Sequence, residues 1–357
     1  MKKILIAMSG GVDSSVAAHL LKNHDCIGAM MKLYTNDDLP PASSKTCCSL
    51  DDAEDARAVA ASMNMPFYTF NFTAPFAETV ISRFVQAYTR GHTPNPCIDC
   101  NRFMKFQNFL HRATELDCTH IATGHYARIE ADANGRYLLK TGMDWAKDQS
   151  YVLYSMTQPQ LSRTLFPLGG MTKEEVRRIA HEQGFINAKK RDSQDICFAP
   201  DGDYAGFIER HISTAITPGK FISPTGEILG EHRGIIHYTI GQRKGLGISA
   251  PHPLFVLSIN PQENTVTLGK SEALFTNTLQ AHDINLIPVD KLNASLRVQA
   301  KIRYSHAPQP ATVYQTAEDT LHVEFDTPQR AITPGQAVVL YDGDIVIGGG
   351  TITTHTY

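Results

Sequence analysis

From Lys2 to Gly124, short apolar runs alternate with stretches in which apolar positions recur every three or four residues. Ile4–Met8, Ile27–Lys32, Phe67–Asn71 and His120–Thr123 read as strands, and Val16–Lys22, Leu50–Met63, Phe76–Thr89 and Phe106–Leu116 as helices. This alternation predicts an α/β, doubly wound parallel sheet, which binds ligands at the carboxyl ends of its strands. Ser49-Leu50-Asp51-Asp52 has the capping residue and first-turn acids of a helix start. Thr172-Lys173-Glu174-Glu175 is a capping box, and its helix runs through Val176, Ile179 and Ala180 to a stop at Gly184. Thr35–Ser44, with Pro40 and Pro41, is expected to be a mobile loop. After Pro200 the pattern changes to short β-like pieces among Gly and Pro: Ile235–Ile240, Leu254–Ile259, Val266–Leu268, Leu296–Ile302, Ala311–Gln315, His322–Phe325, Ala337–Tyr341 and Ile345–Ile347. These predict a small mainly-β central domain and then a β-barrel. The expected boundaries are 1–200, 201–272 and 273–357.

A chain of 357 residues is long for a single core, which agrees with several domains. With 42% hydrophobic and 19% charged residues the composition is that of a globular protein. A net charge of −3 gives no global pull on nucleic acid, so RNA binding would depend on local basic patches. The apolar run after Lys2 and Lys3 is too short for a signal-peptide core and no stretch approaches a membrane span, so a cytoplasmic protein without membrane partners is expected.

Between the first strand and the first helix lies Ser9-Gly10-Gly11-Val12-Asp13-Ser14-Ser15. Two glycines let the backbone approach a phosphate, and the helix N-terminus adds roughly half a unit of positive charge. Ser9, Ser14 and Ser15 offer hydroxyls. A Walker lysine is missing, and the Gly-Lys-Ser at Gly269 has Asn264 where that motif needs its first glycine. Transfer of a γ-phosphate is therefore not the natural reading; the alternative to an anion site is a tight turn without a ligand. The segment resembles the pyrophosphate loop of the N-type ATP pyrophosphatases. That resemblance implies cleavage of ATP between the α and β phosphates, with Asp13 near the phosphates and their Mg2+.

The seven cysteines are an odd number in a large chain, which argues against a disulfide framework. Asn95-Pro96-Cys97-Ile98-Asp99-Cys100-Asn101 and Asp192-Ser193-Gln194-Asp195-Ile196-Cys197-Phe198 place three of them in separate motifs. Two such motifs on an ATP-activating domain suggest sulfur chemistry through thiolates. Structural zinc would need a fourth ligand, and inert core thiols are the remaining reading. The adjacent Cys47 and Cys48 have no assignable role.

Ser9–Ser15, Met31-Lys32, Asn95-Pro96 with Cys100-Asn101, Thr123–Ala127, Lys147–Tyr151, Asp192-Ser193 with Ile196–Phe198, Tyr238–Gly247 and Lys301–Tyr304, in this order, resemble the tRNA-specific 2-thiouridylase family over almost the whole chain. The resemblance implies ATP contacts at Ala7, Met8, Ser9, Gly10, Gly11, Val12, Asp13, Ser14, Met31 and Gly124. It implies that Cys100 is the nucleophile and Cys197 the persulfide carrier, with a transient Cys100–Cys197 disulfide. Asn95, Pro96 and Cys97 would line the target base, and His125, Lys147, Asp148, Gln149, Arg303, Tyr304 and Gln336 would contact tRNA. Implied partners are the Lys, Glu and Gln isoacceptor tRNAs and a sulfur-donor protein, either a cysteine desulfurase or a sulfur relay; the enzyme is expected to be a monomer. Some family members have Asp at the position of Cys97. Cys97, Cys100 and Cys197 could thus instead ligate a 4Fe–4S cluster that carries sulfide.

The remaining candidates have ordinary alternatives. Arg243 and Lys244 between glycines suit phosphate or form a solvated turn. Lys189-Lys190-Arg191 beside the Cys197 motif is equally a solvated face or an RNA contact. Trp145, the sole tryptophan, could stack on a base or close a core, and the core is the expectation. Two other functions compete: an ATP-dependent amide ligase, which needs neither cysteine motif nor barrel, and an RNA-binding protein with a vestigial nucleotide site.

Overall fold

All four strands expected before Gly124 form: β1 (Lys3–Ala7), β2 (Asp25–Lys32), β3 (Phe67–Asn71) and β4 (His120–Ala122). A hairpin of β5 (Ala127–Ala131) and β6 (Tyr137–Thr141) follows, then the two-residue β7 (Thr164–Leu165). In this computed structural model, which describes residues 2–34, 50–190, 196–199, 202–212 and 215–354, the parallel sheet runs β3-β2-β1-β4-β7. Thr35–Ser44, Cys47, Cys48, Ser49, Arg191 and Asp192–Asp195 lie outside the described residues.

Ile4, Leu5 and Ile6 are fully buried because β1 is central and covered on both faces. The helix Val12–Leu21 lays Val16 and Ala17 on this sheet together with Val176 and Ala180 of the Lys173–Glu182 helix. The Thr172 cap forms as expected: its side chain accepts from Glu175 N, and Glu175 accepts from Thr172 N at 2.7 Å. Gly184 ends the helix region at φ +66°, a conformation that suits glycine.

Two expected helices are broken up. Phe76–Thr89 is resolved into Thr73–Phe76, a π-helical turn at Ala77–Ile81 and Ser82–Thr89. Phe106–Leu116 starts earlier, with Pro96–Asp99 and a π-helical Cys100–Asn108 before Phe109–Glu115. An i→i+5 ladder leaves no separate mark in apolar spacing, so the pattern shows only the helical face.

The described residues divide into two compact units: 1–81 with 96–202 and 344–346, and 82–95 with 203–343 and 347–357. In the first unit, Asp344–Val346 joins the hairpin, with Ile345 paired to Lys140. The second unit holds a four-stranded sheet (Phe255–Asn260, Thr265–Gly269, Gly219–Ile222, Ile228–His232, in spatial order) around Phe221, Val256 and Val266. It also holds a closed antiparallel barrel, because Phe275–Leu286 pairs on one side with Thr320–Arg330 and on the other with the strand ending at Thr354. Ile235–Ile240 is not a strand. Gly234, at φ +121°, leads instead into a 3-10 turn at Ile235–His237, and the apolar residues Ile236, Tyr238 and Ile240 are buried without pairing. A further helix, Tyr204–His211, is capped by Asp203, which accepts from Gly206 N at 3.0 Å. No helix among the described residues is long and apolar enough to cross a membrane.

Candidate active site

The serine–glycine loop lies at the carboxyl edge of the parallel sheet, between β1 and the helix it opens. Gly11 is the N-cap and provides no side-chain cap, so the first-turn N–H groups and the helix dipole are directed toward the loop. Gly10 sits at φ +73°, and a Cβ there would lie 2.3 Å from the Asp52 carbonyl oxygen. Only glycine fits. The serine hydroxyls divide by role: Ser14 and Ser15 each donate to Gly11 O at 3.0 Å, and Ser14 Oγ accepts from Ser9 N at 3.1 Å. Ser15 is fully buried, so its hydroxyl shapes the loop from within, whereas Ser9 is exposed.

Asp13 receives three bonds. Lys173 Nζ is 2.8 Å from both carboxylate oxygens, and Tyr126 Oη donates to Oδ1 at 2.8 Å. Lys173 is buried, with its ammonium 5.9 Å from the centre of the Tyr126 ring. Gly124 is pressed on the same spot: a Cβ there would stand 2.8 Å from Asp13 C and Ser14 N. Loop, Gly124 and the end of β2 carrying Met31 thus share one edge, where strand order reverses around β1.

Behind the loop, Asn187 Nδ2 donates to Gly10 O and Ser15 Oγ, both at 2.9 Å. Lys190 donates to Gly10 O at 3.3 Å, to Asp55 at 2.9 Å and to Asp52. Burial acts to lower the Lys190 pKa, but the hydrogen bonds it donates to Asp52 and Asp55 outweigh that and the pKa is raised. Of the basic run, Lys190 is therefore a brace for the loop. Sequence reading also missed Lys173 and Asn187. Lys173 did leave a signal: a lysine in the first turn opposes the helix dipole, and such a placement calls for a carboxylate partner.

Cys26 and Cys118 are free thiols in the core. Burial, then Asp25, pushes Cys26 up to about 11, and burial raises Cys118; both are inert core thiols. Cys97 is exposed, while Cys100 and Cys197 are half-buried. Cys100 begins the π-helical stretch, the helix variant frequent at functional sites. Its neighbour Asn101 is buried and donates to Val152 O at 3.3 Å. Phe198, beside Cys197, packs edge-on against Phe76 at 5.9 Å, and the π-helix of Cys100 packs on the same short helix, Thr73–Phe76. Both cysteine segments are thus anchored on one element of the first unit. Among the described residues no group of three His, Cys, Asp or Glu side chains converges as a metal ion would require.

In the first unit, Asp148 is buried, and its oxygens accept from Gly142 N, Ser150 N and Ser150 Oγ at 2.8–3.1 Å. Gln149 pairs with the Tyr126 backbone in both directions at 3.0 Å. His125 is buried between Phe106 and Phe166. Lys105 Nζ donates to its Nε2 at 3.2 Å, which leaves the Nδ1 proton for Thr123 Oγ1 at 2.6 Å. Burial, then Lys105, holds its pKa well below 6.5. Trp145 does not enter the core; it is 67% exposed.

In the second unit, Arg303 donates to the carbonyls of Arg330 and Ala331 at 3.2 and 2.6 Å, and Tyr304 is exposed beside it. Gln336 donates to Thr93 O at 2.7 Å and Thr93 N to Pro334 O at 2.8 Å, fixing the run toward Asn95. Arg243 and Lys244 are exposed on a turn that Gln242 closes through Thr239 N and Lys244 O.

Known proteins resemble this chain domain by domain. Residues 2–201 match the tRNA methyl transferase HUP domain, 205–270 the tRNA methyl transferase PRC-barrel domain and 276–352 the aminomethyltransferase β-barrel domain. The tRNA-specific 2-thiouridylase MnmA of Clostridioides difficile (strain 630) is 53% identical over 98% of both chains. Its counterpart in Lachnoclostridium phytofermentans is 50% identical over 99% of both. A solved 4-thiouridine synthetase–RNA complex with bound ATP covers 59% of this chain and 50% of that one at 19% identity, but its TM-score of 0.37 is too low to carry weight. At half identity over nearly its full length, with all three domain types in sequence, this chain belongs to the tRNA-specific 2-thiouridylase family.

Proposed function

We propose that this protein uses ATP to replace O2 of the tRNA wobble uridine by sulfur. The observation that carries the ATP half is the loop itself: an uncapped helix N-terminus with Gly124 packed on Asp13–Ser14, at the strand ends of a parallel sheet. Lys173 supplies the cation that the loop's own sequence lacks, and it exchanges Asp13 for phosphate oxygens when the nucleotide enters. Asp13, one-third exposed, is the carboxylate that would hold Mg2+. One carboxylate suffices, because Mg2+ takes its other ligands from phosphates and water. The ion supplies charge neutralisation on the phosphates when bound.

Uridine O2 attacks the α-phosphate, pyrophosphate leaves, and AMP becomes a leaving group on C2. The terminal sulfur of a Cys197 persulfide, loaded by a sulfur-donor protein, loses its proton and attacks C2, and AMP departs. Cys100 thiolate then attacks Cys197 Sγ, the S–S bond breaks with its electron pair going to the sulfur on C2, and a Cys100–Cys197 disulfide remains. A thiol reductant returns both cysteines to thiols. Anchoring of both segments on Thr73–Phe76 supports this pairing. Contacts with tRNA fall to the half-buried Lys147 and to the exposed Arg243, Lys244 and Tyr304. Asp148 and Gln149 act beneath that surface by fixing backbone, and His125 by bonding the side chains of Lys105 and Thr123.

ATP–pyrophosphate exchange measured with and without tRNA tests the reading. Exchange that needs tRNA is expected. Exchange supported by a small carboxylic acid alone would favour an amide ligase, and no exchange with tRNA bound would favour a plain RNA-binding protein.

A further inference from the structure

The turn Gly142–Lys147 carries two large apolar side chains in water, Met143 at 66% and Trp145 at 67% exposure. It is locked from below. Met143 N donates to Gly169 O at 2.9 Å, and Gly142 N to Asp148 Oδ1 at 3.0 Å. Asp144 accepts from Ala146 N at 3.1 Å and, through its other oxygen, from Lys173 N at 2.8 Å; its carbonyl accepts from Lys147 N at 3.0 Å. Gly142 is itself wedged on the Tyr126 carbonyl, 2.8 Å from where a Cβ would stand.

The turn is therefore rigid, and the indole at its tip is held out to solvent. Both carboxylates of the turn, Asp144 and Asp148, are engaged by N–H and O–H donors of the protein, and Lys147 adds a positive charge two residues from the ring. A flat exposed aromatic beside a cation, with the neighbouring negative charge internally compensated, matches an unpaired nucleobase and its phosphate better than an apolar protein surface. We infer that Trp145 is a stacking platform for an unpaired base of the bound tRNA. This rests on the reading that the protein acts on tRNA.

Because Trp145 is the sole tryptophan, the intact protein reports on the ring directly. Intrinsic fluorescence is followed while tRNA is added, with acrylamide quenching of free and bound protein and a gel shift to confirm binding. Quenched emission and loss of acrylamide access on binding are expected. Trp145→Ala should weaken tRNA binding about 5- to 100-fold, with an unchanged slope of log affinity against log salt since no phosphate contact is lost. Trp145→Phe, which keeps a π-face, should recover most of that loss. An indole unperturbed in a tRNA complex that the gel shift shows to be formed would overturn the inference alone. So would an emission change produced by the sulfur-donor protein and not by tRNA. Wild-type protein that binds no tRNA would defeat the functional reading along with it.

Discussion

Lys173→Met removes the cation that grips both oxygens of Asp13 while keeping the apolar stem that fills its burial site. The pair is neither a surface nor a deeply buried one: the side chains are 11% and 31% exposed. Exposed pairs contribute at most about 1 kcal/mol and broken buried pairs cost about 3–5 kcal/mol. Asp13 retains the Tyr126 hydroxyl at 2.8 Å and some water, so a loss of about 2 kcal/mol is expected. For a unit of this size that is a fall of about 4–8 °C in melting midpoint. The effect on ATP is separate. A charged hydrogen bond to phosphate is worth about 1.5–3 kcal/mol, so KM for ATP should rise about 10- to 100-fold. Adding Asp13→Asn to Lys173→Met removes the stranded carboxylate and should restore much of the melting midpoint without restoring ATP affinity. Scanning calorimetry and nucleotide titration separate the two. Wild-type ATP affinity in Lys173→Met would refute the phosphate role, and an unchanged midpoint would refute the ion pair's contribution.

Three other outcomes are expected. Gly124→Ala drives a Cβ to 2.8 Å from the Asp13–Ser14 backbone; the loop must shift, at a cost of about 1–3 kcal/mol, and pyrophosphate exchange should collapse while a gel shift still shows tRNA bound. His125 is neutral in the fold, and the unfolded chain gains a proton as pH falls through about 6.5. Its contribution is thus complete above that pH and lost below it, at up to about 1.4 kcal/mol per pH unit, and His125→Asn should flatten that part of the stability profile in urea titrations. Cys100→Ser and Cys197→Ser should each stop thiolation, whereas Cys97→Ser, with no covalent task, should retain much of it; a dead Cys97→Ser protein active only after iron–sulfur reconstitution would reverse the preference for persulfide.

The sheet was legible because β1, β2, β3 and β4 are apolar runs long enough to stand out, and the loop because glycines and serines at a strand end have few other uses. β7, with two residues, and the π-helical stretches had no comparable signature. The same holds for the site. Chemistry-bearing residues of the motifs could be read in order along the chain, but the partners brought in from afar could not: Lys173 reaches Asp13, and Asn187 and Lys190 reach Gly10, only through tertiary packing. Burial was the least legible property. Trp145, apolar enough for a core, sits on a turn whose hydrogen bonds leave it outside, and His125, polar enough for a surface, is enclosed by two phenylalanines.

The most direct test of the function is nucleoside mass analysis of tRNA after incubation with the protein, ATP, Mg2+ and a sulfur donor. Thiolation through a Cys197 persulfide predicts 2-thiouridine at the wobble position, formed together with one AMP and one pyrophosphate, and none with Cys197→Ser. A methylated or 4-thiolated nucleoside, or 2-thiouridine made equally well by Cys197→Ser, would contradict it.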